Sequence, residues 1–141
     1  MNIELATIGF KKSDCQINNI EEDTLELTFG DTKITLSAEH KQDCCEKVYA
    51  EFDIMEYHKK DICNYYYNYY NSLTILSCEG MGIILDFKKN DFSKKILIPC
   101  HNEQNGYYSD KLDLKIIIES KGIKVVEKTI DISECEQNKI N

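Results

Sequence analysis

The sequence predicts an α+β protein in which a mainly antiparallel β-sheet of sequential hairpins is accompanied by one short helix. Apolar and polar residues alternate over several short runs, as strands with one buried face require. Short polar turns separate these runs, which favours hairpins over parallel crossovers. Only the segment 54–70 approximates a 3.6-residue period. We therefore expect about six to eight strands and a helix near 54–64.

The first predicted hairpin joins TLELTF (24–29) to TKITLS (32–37) across Gly30-Asp31. Glycine supplies the positive φ that a tight turn needs. A further strand is predicted in KVYAEFDI (47–54), where Phe52 and its alternate neighbours form an apolar face.

The predicted helix contains the run NYYYNYYN (64–71), whose weak helix propensity leaves its C-terminal end open. Two more hairpins are predicted after it. The first pairs MGIILDF (81–87) with KKILIPC (94–100), and the second pairs LDLKIIIES with IKVVEKTIDI across Lys121-Gly122. Pro99 cannot donate to a β-ladder, so we expect its strand to end there at an edge or bulge.

Length and composition predict one domain over residues 1–141, with a frayed tail at 134–141. Hydrophobic residues make up 42% and charged residues 30%, which is typical of a folded, water-soluble chain. The start resembles no signal peptide, and no window reaches the ~20 apolar residues of a membrane span. We therefore predict a cytoplasmic protein with no membrane contact, whose seven cysteines are reduced thiols.

The formal net charge is −8, and all 17 basic residues are lysines. Without arginine, bidentate recognition of phosphate or guanine is missing, so nucleic acid is not an expected partner. An acidic surface attracts basic ones, which favours a basic protein partner.

Cysteine and histidine pairs in the sequence are candidate metal ligands and thiol nucleophiles. The candidates are His40 with Cys44 or Cys45, His58 with Cys63, and Cys100 with His101. None forms a C-x-x-C pair, and adjacent cysteines on a strand point to opposite faces. Asp43 and Glu46 would raise the pKa of the thiols between them. We predict no metal, no cofactor and no enzymatic activity, and we expect Cys44 and Cys45 to lie unbonded in a strand.

Tyrosine and asparagine supply the candidate partner-binding residues. Tyrosine offers a large, rigid contact area with a hydrogen-bonding tip, and polar loops between strands commonly carry function. The candidates are Tyr65, Tyr66, Tyr67, Tyr69 and Tyr70 from the run 64–71, and Asn102, Glu103, Asn105, Tyr107 and Tyr108 from the loop after Pro99. The alternative, that half of the first group packs against the sheet, is left open here.

The motifs DCCEKVY (43–49) and NGYYS (105–109), taken together, resemble those of a family of small uncharacterised proteins of bacteria and phages. The resemblance covers about residues 24–118. Some phage members look like anti-Thoeris sponges, which are oligomeric β-rich proteins that sequester cyclic ADP-ribose-type signals. The resemblance implies a pocket near Asn105 and a possible homo-oligomer. This chain departs from the phage form, whose corresponding strand bears arginine, because it reads ILIPCHN there.

The function we expect is binding without catalysis. Small, acidic, single-domain proteins without catalytic motifs are typical immunity partners, which occlude basic toxins such as nucleases. An immunity protein against a basic toxin, such as a nuclease, is therefore the preferred hypothesis. The alternative is a phage-type anti-defence protein that sequesters a cyclic ADP-ribose-like nucleotide.

Overall fold

The computed structural model describes residues 2–11, 14–40, 50–78, 82–102 and 112–131. Within them lie ten strands and one helical segment. The strands are β1 (Asn2–Gly9), β2 (Cys15–Glu21), β3 (Thr24–Phe29), β4 (Thr32–His40), β5 (Ala50–Phe52), β6 (Ser72–Cys78), β7 (Gly82–Lys89), β8 (Phe92–Asn102), β9 (Leu112–Ser120) and β10 (Ile123–Asp131). The helical segment consists of α1 (Glu56–Asp61), a π-helical stretch (Ile62–Tyr66) and α2 (Tyr67–Tyr69).

Two five-stranded antiparallel sheets face each other. The first has the order β1-β6-β7-β8-β5, and the second has the order β10-β9-β4-β3-β2. Buried residues of both sheets and of the helical segment belong to one hydrophobic cluster. Burial alternates strictly along β3, as a strand with one core-facing side requires. The predicted antiparallel β-rich fold with one helix is thus confirmed.

The expected sequential hairpins are confirmed only in part. β3 with β4, β7 with β8 and β9 with β10 pair as predicted. However, β1 pairs with β6, β4 with β9 and β5 with β8, which lie far apart in the chain. The described strands also exceed the predicted number, because β1, β2 and β6 were missed. β2 is largely exposed, and β6 buries three consecutive residues, so neither shows clean alternation.

An aromatic cluster joins both sheets to the helical segment. The Phe10 ring, between β1 and β2, stacks on Phe29 of the second sheet at 5.3 Å and on Tyr67 at 5.1 Å between centroids. Phe10 also meets the edge of Phe87 from the first sheet at 6.4 Å. The Tyr67 hydroxyl donates a hydrogen bond to the Lys11 carbonyl. Helix and sheets are therefore held together at one end of the core.

A disulfide between Cys15 and Cys63 corrects the expectation that all seven cysteines are reduced. It ties the start of β2 to the π-helical stretch, with the Cα atoms 5.3 Å apart. The two residues are separated by 48 positions, so no local pattern marks them as partners. Disulfides are more frequent in oxidising compartments. The cytoplasmic location accordingly stays a prediction.

Pro99 marks a change of partner along β8. The ladder with β7 ends at the pair Gly82 and Pro99, and the ladder with β5 begins at Cys100. β8 itself continues to Asn102, so the expected end of the strand at Pro99 is wrong. Gly82 has φ +131, and a Cβ there would lie 2.1 Å from the Ile98 carbonyl oxygen. Only glycine fits this close crossing.

Truncating the central ring of the aromatic cluster should destabilise the fold strongly. Tyr67→Ala removes a buried aromatic side chain and should lower the free energy of unfolding by about 3–5 kcal/mol. Tyr67→Phe keeps the ring and loses only the hydroxyl contact, which should cost about 1 kcal/mol. Urea unfolding followed by circular dichroism measures both values. Equal losses in the two variants would contradict the role given to ring stacking.

Breaking the disulfide should lower the free energy of unfolding, because the bond closes a long loop and so restricts the unfolded chain. Cys63→Ser should cost roughly 2–4 kcal/mol in urea unfolding. The matched control Cys78→Ser alters a half-buried free thiol and should cost under about 1 kcal/mol. Thiol titration of the denatured protein should rise by at least two groups after reduction. An unchanged thiol count would show that the bond does not form.

Candidate functional site

The helical segment divides the five clustered tyrosines between the core and the surface. Tyr67 is only 5% exposed, which corrects its assignment as a partner-binding residue. Residues two apart on a helix are separated by about 200°. Tyr65 and Tyr69, each two positions from Tyr67, therefore face away from the core. They are 60% and 43% exposed.

Tyr66 and Tyr70 lie at the flanks of this helix and are half-buried. Their rings pack near Phe87, with centroid distances of 6.1 and 6.4 Å. The Lys94 ammonium lies 5.8 Å from the centroid of the Tyr66 ring. Burial, and then the neighbouring Tyr69, Tyr65 and Tyr66, raise the pKa of Tyr70. A tyrosine hydroxyl is already neutral at physiological pH, so this rise in pKa leaves the Tyr70 hydroxyl a hydrogen-bond donor there.

Tyr65, Tyr69 and Phe92 form a continuous group that we call the exposed aromatic surface. The rings of Tyr65 and Tyr69 are parallel within 2°, with centroids 6.1 Å apart. Phe92, the first residue of β8, meets Tyr69 edge-on at 6.1 Å and is 59% exposed. Phe92 was not among the predicted site residues. Its aromatic character directly after the polar residues 88–91 was the only sequence signal.

Carboxylates gather at the opposite end of the helical segment. A groove of about 410 Å³ is lined by Glu21, Glu22, Glu51 and Asp53, together with the exposed Ile20. Ile54, two residues before α1, also lines it. The helical segment of residues 56–69 spans about 20 Å at 1.5 Å per residue. We call the groove lined by these carboxylates the acidic groove. It is separate from the exposed aromatic surface.

Several predicted site residues fall outside the described part of the structure. These are Cys44, Cys45, Glu103, Asn105, Tyr107 and Tyr108. Asn102 ends β8 and His40 ends β4, but the side chains of Asn102, His40 and His101 are not described. The loop and the pocket expected near Asn105 therefore stay predictions.

The described cysteines differ in whether their thiols could bind a metal or act as nucleophiles. Cys63 is bonded to Cys15, so the pairing of His58 with Cys63 as metal ligands is wrong. Cys100 is buried, and its burial raises the pKa of the thiol to about 12. A thiol that stays protonated is a poor metal ligand and a poor nucleophile. Among the described residues, no group of three or more histidine, cysteine or acidic side chains is arranged to hold a metal ion.

Comparison with known proteins yields no relative. No protein-family model matches the chain, and neither curated proteins nor solved structures give a match. The resemblance carried by DCCEKVY and NGYYS stays an interpretation of two short motifs. Within the described residues, no helix combines the length and apolar character that spanning a membrane requires.

The raised pKa of Cys100 should appear in the pH dependence of stability. Since the folded value of about 12 exceeds the ordinary value of 9.0, the contribution is complete below pH 9.0 and is lost as pH rises toward 12. Urea unfolding between neutral pH and pH ~10.5 should show a steeper loss, by up to about 1.4 kcal/mol per pH unit, for the wild type than for Cys100→Ala. Cys78→Ala, which removes a half-buried thiol elsewhere, is the matched control for the substitution itself. Parallel slopes for the wild type and Cys100→Ala would refute this contribution.

Proposed function

We propose that this protein is a non-catalytic binding protein that neutralises a basic protein partner, an immunity protein against a toxin, by covering its functional surface. The observation that carries the proposal is the exposed aromatic surface of Tyr65, Tyr69 and Phe92. Large aromatic side chains held in fixed positions are the usual anchors of protein interfaces.

Rigidity of the exposed aromatic surface favours a binding role. The helix that carries Tyr65 and Tyr69 is fixed by the buried side chains of Ile62 and Tyr67 and by the disulfide at Cys63. A partner would therefore order few side chains on binding, which lowers the entropic cost of association. Occlusion by such a surface needs no chemical step.

Charge supports a basic partner. The net charge of −8 steers basic proteins toward the chain. The acidic groove offers four carboxylates and the apolar Ile20 at the other end of the helical segment. A standard interface covers about 800 Å² per partner, a patch roughly 30 Å across. A patch of that size is wider than the helical segment is long, which supports one partner that contacts both the aromatic surface and the acidic groove.

The proposal is tested with the product of a toxin-like reading frame adjacent to this gene. Co-expression should restore growth, and the purified proteins should form a complex in calorimetry. Tyr65→Ala combined with Tyr69→Ala should weaken binding by roughly 30-fold or more, as loss of interface anchors does. Ile123→Ala changes an apolar residue at the start of β10 that is more exposed than either tyrosine, and it should leave affinity unchanged.

Two outcomes would contradict the proposal. One is a toxin that stays lethal despite soluble, folded protein in the same cell. The other is a complex whose affinity is the same for the wild type and the double tyrosine variant. Glu21→Gln combined with Glu51→Gln tests the charge argument separately, because it should slow association most at low salt.

A further inference from the structure

A second groove, of about 650 Å³, lies between the end of β1, the end of the helical segment and the end of β7. We call it the lysine groove. Its volume falls within the range of small-molecule sites. It is lined by Phe10, Lys11, Tyr67, Asn68, Tyr69, Tyr70, Asn71 and Lys89.

The walls of the lysine groove are joined by backbone hydrogen bonds. The Phe10 amide donates to the Asn71 carbonyl at 2.9 Å, and the Asn71 amide donates to the Lys88 carbonyl at 3.0 Å. At the end of the helical segment, the Tyr70 amide donates a hydrogen bond to the Tyr66 carbonyl at 2.8 Å. The Tyr67 hydroxyl binds the Lys11 carbonyl. Three separate chain segments thus hold a preformed shape, which favours ligand binding.

The lining chemistry favours an anion with a flat ring. Lys11 and Lys89 bring two positive charges, and none of the described lining residues is acidic. Two charges suit a phosphate monoester better than a single carboxylate. Tyr69 and Tyr70 meet edge-to-face at 4.9 Å and offer aromatic surface for a planar ring. The neutral hydroxyl of Tyr70 adds a donor.

We propose that the lysine groove binds a small aromatic phosphate of the nucleoside monophosphate class, with Lys11 and Lys89 holding the phosphate and Tyr69 and Tyr70 contacting the ring. None of the described residues that line the groove belongs to the loop around Asn105, for which the family resemblance implies a nucleotide pocket. It also does not depend on the proposed protein partner, since only Tyr69 belongs to both surfaces.

Calorimetry or equilibrium dialysis with AMP on the full chain tests the site. Lys89→Gln and Lys11→Gln should each weaken AMP binding roughly tenfold, since each removes a charged contact. Lys60→Gln alters an exposed lysine of α1 outside the groove and should leave binding unchanged. Adenosine and inorganic phosphate, tested alone, should each bind much more weakly than AMP. Circular dichroism confirms that every variant is folded.

The proposal fails if AMP does not bind at millimolar concentration, or if adenosine binds as well as AMP. It also fails if Lys60→Gln weakens binding as much as Lys89→Gln, because the attraction would then be non-specific. A Tyr65→Ala variant separates this site from the proposed protein interface. It should keep AMP binding, while the Lys89→Gln variant should keep binding to the protein partner.

Discussion

The stacking of Phe10 on Phe29 and Tyr67 is the contact on which the rest of the molecule depends. Phe29 belongs to the second sheet, Tyr67 to the helical segment, and Phe87 of the first sheet touches the same cluster. Among the described residues the two sheets share no β-ladder, so they are joined by side-chain packing and by isolated hydrogen bonds such as that from Asn19 Nδ2 to the Phe52 carbonyl at 3.3 Å. The cluster therefore sets both the spacing of the sheets at this end and the rotation of the helix about its axis.

That rotation decides which tyrosines reach solvent. With Tyr67 buried, helical geometry turns Tyr65 and Tyr69 outward and leaves Tyr66 and Tyr70 at the boundary. A run of five tyrosines thus serves two purposes at once. One ring stabilises the core, while others supply rigid contact area at the surface. The disulfide at Cys63 fixes the same helical segment at a second point. The exposed rings are therefore held in place both by the buried Tyr67 and by the disulfide.

Charge is distributed unevenly over this acidic protein. Carboxylates line the groove near the start of the helical segment, whereas Lys11, Lys89 and Lys94 lie near the clustered tyrosines. The acidic groove and the exposed aromatic surface therefore lie at different ends of the helical segment, whereas the lysine groove adjoins the exposed aromatic surface and shares Tyr69 with it. The buried Cys100, with its raised pKa, belongs to the core and to neither surface.

Local sequence patterns determined the elements whose signals are themselves local. Alternation and turn residues predicted the hairpins β3–β4, β7–β8 and β9–β10, and periodicity located the helix. Tertiary contacts decided the rest. The pairing of β1 with β6, the disulfide of Cys15 with Cys63 and the burial of Tyr67 all join segments distant in sequence. No period or motif encodes such contacts, because they depend on how whole elements pack. The candidate surface was therefore predictable in its composition, while the choice of exposed rings and the addition of Phe92 required the folded chain.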